Sequence, residues 1–63
     1  MKRRDLEKKL AELGWKFARH GGNHDVWTNG REFEPVPRHN EINEYLAKKI
    51  LRKAKDNPPA LEK

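Results

Sequence analysis

The chain has 63 residues, with 15 Lys and Arg residues against 10 Asp and Glu residues, so its formal net charge at pH 7 is +5. A chain of this length forms one small domain at most and leaves no room for a nucleotide-binding fold or an enclosed cofactor cavity. Cysteine is absent, which excludes disulfides, thiolate metal sites and cysteine nucleophiles. No apolar run is long enough for a membrane span and no signal-peptide pattern is present, so we expect a cytoplasmic protein.

The N-terminal segment predicts an amphipathic helix. Leu6, Leu10 and Leu13 recur at i, i+4 and i+7 and therefore share one helical stripe. Gly14 follows at the position where a residue with positive φ commonly ends a helix. Residues 15–20 then alternate between apolar and polar with a period of two, which is typical of a strand.

Two turn signals divide the middle of the chain into three strands. The glycine-rich stretch at residues 21–23 separates the first strand from a second strand over residues 24–28. The dipeptide Asn29-Gly30 predicts a two-residue type I′ hairpin, because both residue types tolerate a positive φ. A third strand over residues 31–36 contains Pro35, which cannot donate a ladder hydrogen bond, so this strand is expected at an edge of the sheet.

The C-terminal part predicts a second helix. Ile42, Leu46 and Ile50 form its apolar stripe, and Asn40 or Asn43 is placed to cap its N-terminus. The order α-β-β-β-α predicts an α+β fold in which two helices pack on one face of a three-stranded antiparallel sheet.

The chain is expected to form a single domain over residues 1–56, followed by a flexible C-terminal tail over residues 57–63. The basic excess lies at the two ends of the chain, on either side of a mildly acidic middle, and this distribution suits a polyanion such as nucleic acid. Four aromatic side chains are of a kind that stacks on RNA bases, but their period-two spacing favours positions in the hydrophobic core: Trp15, Phe17, Trp27 and Phe33.

Candidate catalytic groups are few. The chain contains neither Ser nor Cys, and its three histidines lack the spacing of a zinc site, so neither a metal nor a cofactor is expected. His24 follows the glycine-rich turn at the start of a strand, and an imidazole exchanges a proton near neutral pH. From the pattern alone, a surface histidine in a hairpin is the simpler interpretation.

Five short motifs occur in an order and spacing that resemble the HicA family of bacterial toxins, over about residues 3–55. The motifs are Leu6 with Leu10, Gly14-Trp15, the turn Gly22-Asn23-His24, Val36-Pro37 with His39, and Ile50-Leu51-Arg52-Lys53-Ala54. The resemblance implies an α-β-β-β-α fold similar to the double-stranded RNA-binding domain. It also implies a small ribonuclease that cleaves mRNA, inhibits translation and growth, and is neutralised by a HicB-family antitoxin.

The same resemblance implies that His24 is the catalytic residue, because Gly22-Asn23-His24 matches the Gly-Ser-His motif of the family. Asn23 stands in place of the usual serine, and Asp25 stands where many members have a histidine or an apolar residue. His39 matches a position where histidine is frequent in the family. We therefore expect His39, Asn23 and Gly22 to have auxiliary roles.

Basic residues near the turn and on the second helix are expected to bind RNA phosphates: Lys16, Arg19, Arg38, Lys48, Lys49, Arg52 and Lys53. The expected activity is metal-independent, and the toxin alone is expected to be monomeric and to form a larger assembly with its antitoxin. Two alternatives remain open at this point. One is a noncatalytic RNA-binding module of the same fold, and the other is a basic interaction protein for an acidic partner.

Overall fold

The computed structural model describes residues 1–59 of the chain. Its elements, in chain order, are α1 (Arg3–Glu12), β1 (Lys16–His20), β2 (His24–Thr28), β3 (Phe33–Pro37) and α2 (Glu44–Asp56). The strands form one antiparallel sheet in the order β1-β2-β3. The predicted α+β fold, with two helices and a three-stranded antiparallel sheet, is confirmed. Neither helix has the length and apolar character needed to cross a membrane.

The core lies between the two helices and one face of the sheet. Leu6 and Leu10 of α1 and Ile50 of α2 are buried against Trp27 of β2 and Val36 of β3. Trp27 and Val36 lie on the same face because side chains alternate along a strand, and the intervening residues of β2 and β3 lie on the opposite face. No helix of residues 1–59 covers that opposite face, which we call the open face.

The start of α2 follows from a side-chain cap. The side-chain oxygen of Asn43 accepts hydrogen bonds from the backbone N–H groups of Tyr45 at 2.8 Å and Leu46 at 3.3 Å. These contacts satisfy two donors that the first turn of a helix leaves without a helical partner. The other predicted cap, Asn40, instead accepts a hydrogen bond from the backbone N–H of Arg3 through its carbonyl oxygen. Asn43 is therefore the cap.

The segment after α2 packs against the body of the protein. The carbonyl oxygen of Asn57 accepts hydrogen bonds from Nε1 of Trp15 at 3.1 Å and from Nδ2 of Asn29 at 2.7 Å. Gly14, at the end of α1, has a φ of +92°, and a Cβ there would lie 2.6 Å from Cγ of Pro59. Of the predicted flexible tail, Asn57 and Pro59 lie against the body of the protein in this way, and residues 60–63 lie outside the described residues.

The connection between β2 and β3 differs from the prediction. Thr28 pairs with Phe33, so the loop has four residues, 29–32, and β3 begins two residues later than expected. Only Gly30 has a positive φ in this loop, so the prediction of a two-residue type I′ turn is wrong. The physical reason is the side chain of Asn29, whose Oδ1 accepts hydrogen bonds from the N–H groups of Arg31 at 2.8 Å and Glu32 at 2.6 Å.

The alternation of β1 is interrupted by a bulge. The pairing with β2 shifts between Phe17 and Arg19 and leaves Ala18 without a partner. Phe17 is 44% exposed although Trp15 is buried, so the two rings do not share one buried stripe. The expected edge position of β3 is confirmed, since β3 pairs with β2 alone and Pro35 lies opposite Val26.

Candidate functional site

His24 is the first residue of β2 and lies exposed on the open face of the sheet, opposite Pro37 of β3. The turn before it is closed by a hydrogen bond from the N–H of Gly21 to the carbonyl oxygen of His24, at 2.6 Å. A Cβ on Gly21 would lie only 2.9 Å from that oxygen, whereas a Cβ on Gly22 would meet nothing within 4 Å. The close approach at Gly21 therefore requires glycine, and the position of Gly22 does not.

His24 lies in an open depression of about 450 Å³ that is lined by Asn23, His24, Arg38 and His39. The pairing of His24 with Pro37 explains this grouping, because Arg38 and His39 directly follow the end of β3. The structure thus brings together four of the residues that the sequence marked. Gly22 takes part only through its backbone carbonyl oxygen, which accepts a hydrogen bond from Arg38 at 2.9 Å.

Arg38 holds the turn that precedes His24. Its Nη2 donates to the carbonyl oxygens of Gly21 at 2.6 Å and Gly22 at 2.9 Å, and its Nε donates to Oδ1 of Asp25 at 3.0 Å. One guanidinium therefore bonds to residues on both sides of Asn23 and His24. The planar fork of donors on an arginine makes this set of contacts possible from a single side chain.

Asp25 is a buried carboxylate that sequence reasoning did not mark as a site residue. Only 7% of its surface is exposed, and Oδ1 accepts hydrogen bonds from Nδ1 of His20 at 2.8 Å and from Arg38. The hydrogen bond from His20 is the largest cause that lowers the pKa of Asp25, the charges of His20 and Arg38 add to it, and burial opposes it. The carboxylate thus links β1 to the residues that follow β3.

The contact between His20 and Asp25 depends on the bulge in β1. The shift in pairing places His20 opposite Asp25, on the face of the sheet that the helices cover. The ring of His20 also packs edge-on against Phe17, with ring centroids 4.9 Å apart. A simple alternation of side chains does not reveal a bulge, and this is why the pair was missed from the sequence.

The predicted phosphate-binding residues of β1 lie at different distances from His24. Arg19 lies opposite Val26 and Lys16 opposite Thr28, so both share the open face with His24. Thr28 is four residues from His24 along β2, which corresponds to about 13 Å at the rise of a β-strand. Of these two cations of β1, Arg19 is therefore nearer to His24, and Lys16 lies towards the far end of the sheet.

The four residues of α2 that were predicted to bind phosphate divide into two groups. Nζ of Lys53 forms a salt bridge with Oε1 of Glu34 at 2.9 Å, and this contact raises the pKa of Lys53. Lys48, Lys49 and Arg52 are exposed on the outer surface of α2, on the opposite side of the sheet from the open face. The structure therefore does not bring these three residues next to His24. Within residues 1–59, no three His, Asp or Glu side chains are grouped to hold a metal ion.

The fold and the site define a small α+β protein whose exposed histidine lies on an uncovered sheet face. Residues 3–55 match the family model of the HicA toxin of bacterial toxin–antitoxin systems, and this match covers most of the chain. The protein is therefore the toxin component of a toxin–antitoxin system, a class that has an antitoxin as its partner. The chain belongs to the HicA toxin family.

Comparisons with curated proteins and with solved structures gave no match. The similarity of the fold to the double-stranded RNA-binding domain therefore stays a prediction.

Proposed function

We propose that this toxin is a metal-independent endoribonuclease that cleaves mRNA in the cytoplasm, with His24 as general acid or base, and thereby inhibits translation and growth. The observation that carries the proposal is the placement of His24. The imidazole is exposed on an open sheet face, in a depression that also contains Arg38 and His39. An extended RNA strand reaches a site of this kind without having to enter an enclosed pocket.

The proposed reaction uses the 2′-hydroxyl of the RNA as its nucleophile. A bond forms between the 2′-oxygen and phosphorus, the bond from phosphorus to the 5′-oxygen breaks, and a 2′,3′-cyclic phosphate and a 5′-hydroxyl result. A base removes the proton of the 2′-hydroxyl, and an acid gives a proton to the leaving oxygen. His24 carries out one of these transfers, a type of catalysis that typically contributes 10²–10⁴-fold.

The other residues of the site have supporting roles in this proposal. His39 lines the same depression and supplies a second imidazole for the opposite proton transfer. Arg19 lies on the open face opposite Val26, which is two residues from His24 along β2. Its guanidinium provides positive charge for the phosphate. Asn23 borders the depression and offers an amide to the substrate, while Arg38 holds the backbone of the turn.

We also propose that a HicB-family antitoxin inhibits the enzyme by covering the open face around His24. That face carries Val26, Phe33 and Pro35, and Phe33 is 57% exposed. Uncovered apolar side chains of this kind are typical of a surface that binds another protein. The cations Lys16 and Arg19 on the same face favour acidic residues on the antitoxin.

Purified wild type, His24→Ala and His39→Ala, each incubated with single-stranded RNA, test the proposal. Because His24 is exposed, His24→Ala is expected to change the free energy of unfolding by no more than about 0.5 kcal/mol. It is nevertheless expected to lower the cleavage rate by about 10²–10⁴-fold, with a smaller loss for His39→Ala. A folded His24→Ala protein that cleaves at the wild-type rate contradicts the proposal.

The same experiment separates the two alternative functions. A noncatalytic RNA-binding module binds the RNA but leaves it intact, with or without His24. A basic interaction protein neither cleaves nor binds RNA at physiological salt.

A further inference from the structure

The exposed surface of α2 combines an aromatic ring with three cations. Tyr45, Lys48, Lys49 and Arg52 are spaced i, i+3, i+4 and i+7, so they share one face of the helix. Together they line a shallow depression of about 260 Å³. Tyr45 is 77% exposed, more than any other large hydrophobic residue of residues 1–59. The ring is therefore open to a ligand.

The three cations on this face have no salt-bridge partner among residues 1–59. The carboxylate four residues before Lys48 is that of Glu44, whose Oε2 lies 2.6 Å from the N-terminal ammonium group of Met1. That contact lowers the pKa of Glu44, and Lys48 adds a smaller effect through its charge. The positive charge of the face is thus left for an anionic ligand.

The other exposed aromatic rings lie in different surroundings. Phe17 packs edge-on against His20 and Trp27. The cation beside Phe33 is Lys53, whose Nζ contacts the carbonyl oxygen of Phe33. That ammonium group already forms a salt bridge with Glu34. Among the described residues, Tyr45 is the exposed ring that has unpaired cations at helical spacing beside it.

A flat exposed ring beside cations is the combination that binds single-stranded nucleic acid. A base stacks on the ring, and the cations contact the phosphates on either side. Double-stranded RNA does not suit this surface, because its bases are stacked on one another and are not available to the ring. The chemistry therefore favours an unpaired segment of RNA.

The face of α2 is within reach of a strand bound at His24. The chain runs from His39, in the depression that contains His24, to Tyr45 in six residues, so the two residues are at most about 20 Å apart. The two sites lie on different sides of the sheet, so an RNA strand that contacts both passes over the loop at residues 38–43.

We propose that Tyr45, Lys48, Lys49 and Arg52 form an accessory binding site for single-stranded RNA, outside the cleavage site. This inference rests on the proposed ribonuclease function and adds a second point of attachment for the same substrate. The accessory site increases the affinity for RNA strands long enough to contact both sites. It has no part in the proton transfers at His24.

Binding is measured by fluorescence anisotropy with His24→Ala protein, in which cleavage is expected to be slow, and a labelled single-stranded RNA of about 12 nucleotides. In this background, Tyr45→Ala is expected to weaken binding by about 5- to 150-fold, the equivalent of one stacked base. Tyr45→Phe keeps the ring and is expected to bind within about twofold of Tyr45. Because Tyr45 is exposed, neither variant is expected to change the fold.

The contribution of the cations is measured from the salt dependence of binding. Lys48→Gln combined with Lys49→Gln is expected to reduce the log–log slope by about 0.7 for each lost phosphate contact. The matched control is Lys8→Gln with Lys9→Gln on α1, where Asp5 and Glu12 lie in the same shallow depression as the two lysines. That control is expected to leave the slope nearly unchanged.

Three results of the RNA-binding measurements would overturn the accessory site. They are an unchanged affinity for Tyr45→Ala, an equal loss of slope for the α1 control, and an equal effect of Tyr45→Ala on duplex RNA. Loss of antitoxin binding in Tyr45→Ala without loss of RNA binding would assign the face to a protein and also overturn it.

Failure of the proposed ribonuclease function gives a result that differs from failure of the accessory site. In that case wild-type protein leaves RNA intact, whereas the binding measurements with the His24→Ala protein are unaffected.

Discussion

Nη2 of Arg38 donates to the carbonyl oxygen of Gly21 at 2.6 Å and thereby ties the residues after β3 to the turn that presents His24. The same side chain also bonds to Asp25, which directly follows His24. The guanidinium thus restrains the backbone on both sides of the proposed catalytic residue. We propose that Arg38, which the sequence predicts to bind phosphate, acts as a positioning residue for this turn.

Replacement of Arg38 by Lys is expected to lower kcat and to leave the affinity for RNA nearly unchanged. An ammonium group keeps the charge but cannot bond at once to Asp25 and to two carbonyl oxygens. A misplaced catalytic group costs on the order of 10²-fold in rate. Single-turnover cleavage gives the rate, and anisotropy with a His24→Ala background gives the affinity.

The matched control for this prediction is Arg31→Lys, an exposed arginine in the loop between β2 and β3. It is expected to cleave at the wild-type rate. If Arg38→Lys binds RNA more weakly but cleaves bound RNA at full speed, Arg38 contacts phosphate and does not position the turn.

The two adjacent glycines of the turn are expected to respond differently to the same substitution. Gly21→Ala places a Cβ 2.9 Å from the carbonyl oxygen of His24, so the backbone of the turn must move. We expect this variant to lose about 1–3 kcal/mol of unfolding free energy and to cleave more slowly. Gly22→Ala meets open space and is expected to stay within about 0.5 kcal/mol of wild type.

Urea unfolding and cleavage assays on the two variants check this prediction. Equal destabilisation by both substitutions would contradict the assignment of the effect to the close approach between Gly21 and the carbonyl oxygen of His24.

The sequence was sufficient to predict the order of elements and the position of His24. Both follow from local signals, namely the leucine spacing of α1, the glycines of the turn and the asparagine cap of α2. The network of His20, Asp25 and Arg38 was not predicted, because it depends on the pairing register. The bulge at Ala18 and the end of β3 at Pro37 set that register, and neither changes the alternation enough to be recognised.

The basic residues of α2 give a second example of a tertiary contact that the sequence does not predict. Residue type and spacing identified Lys48, Lys49, Arg52 and Lys53 as one group. The position of Glu34 across from α2 separates Lys53 from the other three, and it does so through a tertiary contact.

The choice of nucleophile is tested with the substrate. A 2′-deoxynucleotide placed immediately 5′ of the scissile phosphate removes the proposed attacking hydroxyl, so cleavage at that bond is expected to stop. Binding is expected to change little, because the phosphate contacts remain. Cleavage of the all-ribose strand is expected to continue in excess chelator and to leave a 2′,3′-cyclic phosphate, which mass spectrometry of the products identifies.

Cleavage of the deoxy substrate at the rate of the all-ribose strand would contradict attack by the 2′-hydroxyl. Water would then be the nucleophile, and His24 would serve to activate it.

Asp25 is expected to make the folded protein sensitive to acid. Its pKa is lower in the folded protein than the ordinary value of 3.8, because the hydrogen bond from His20 and the charge of Arg38 favour the carboxylate. The unfolded chain therefore binds this proton more readily. The stabilisation is fully present above about pH 3.8 and is lost as the pH falls through the lower folded pKa.

Urea unfolding of wild type and Asp25→Asn, from about pH 7 to about pH 2, measures this effect. Asp25→Asn is expected to be the less stable protein at neutral pH, and the difference in unfolding free energy is expected to shrink in acid. Glu44, whose pKa is also lowered, is present in both proteins and cancels in the comparison. A difference that stays constant over the whole range would mean that ionisation of Asp25 does not contribute.

The prolines of β3 limit the addition of a further strand at this edge of the sheet. Every second residue of β3 has the same orientation in the strand, and these residues are 33, 35 and 37. Two of them, Pro35 and Pro37, have no backbone N–H group to donate. A strand from another molecule therefore finds too few donors along β3 to form a regular ladder. At the opposite edge, β1 has no proline and all of its residues are exposed. Strand addition by another chain is consequently disfavoured at β3, and at β1 an added strand would have to accommodate the bulge at Ala18.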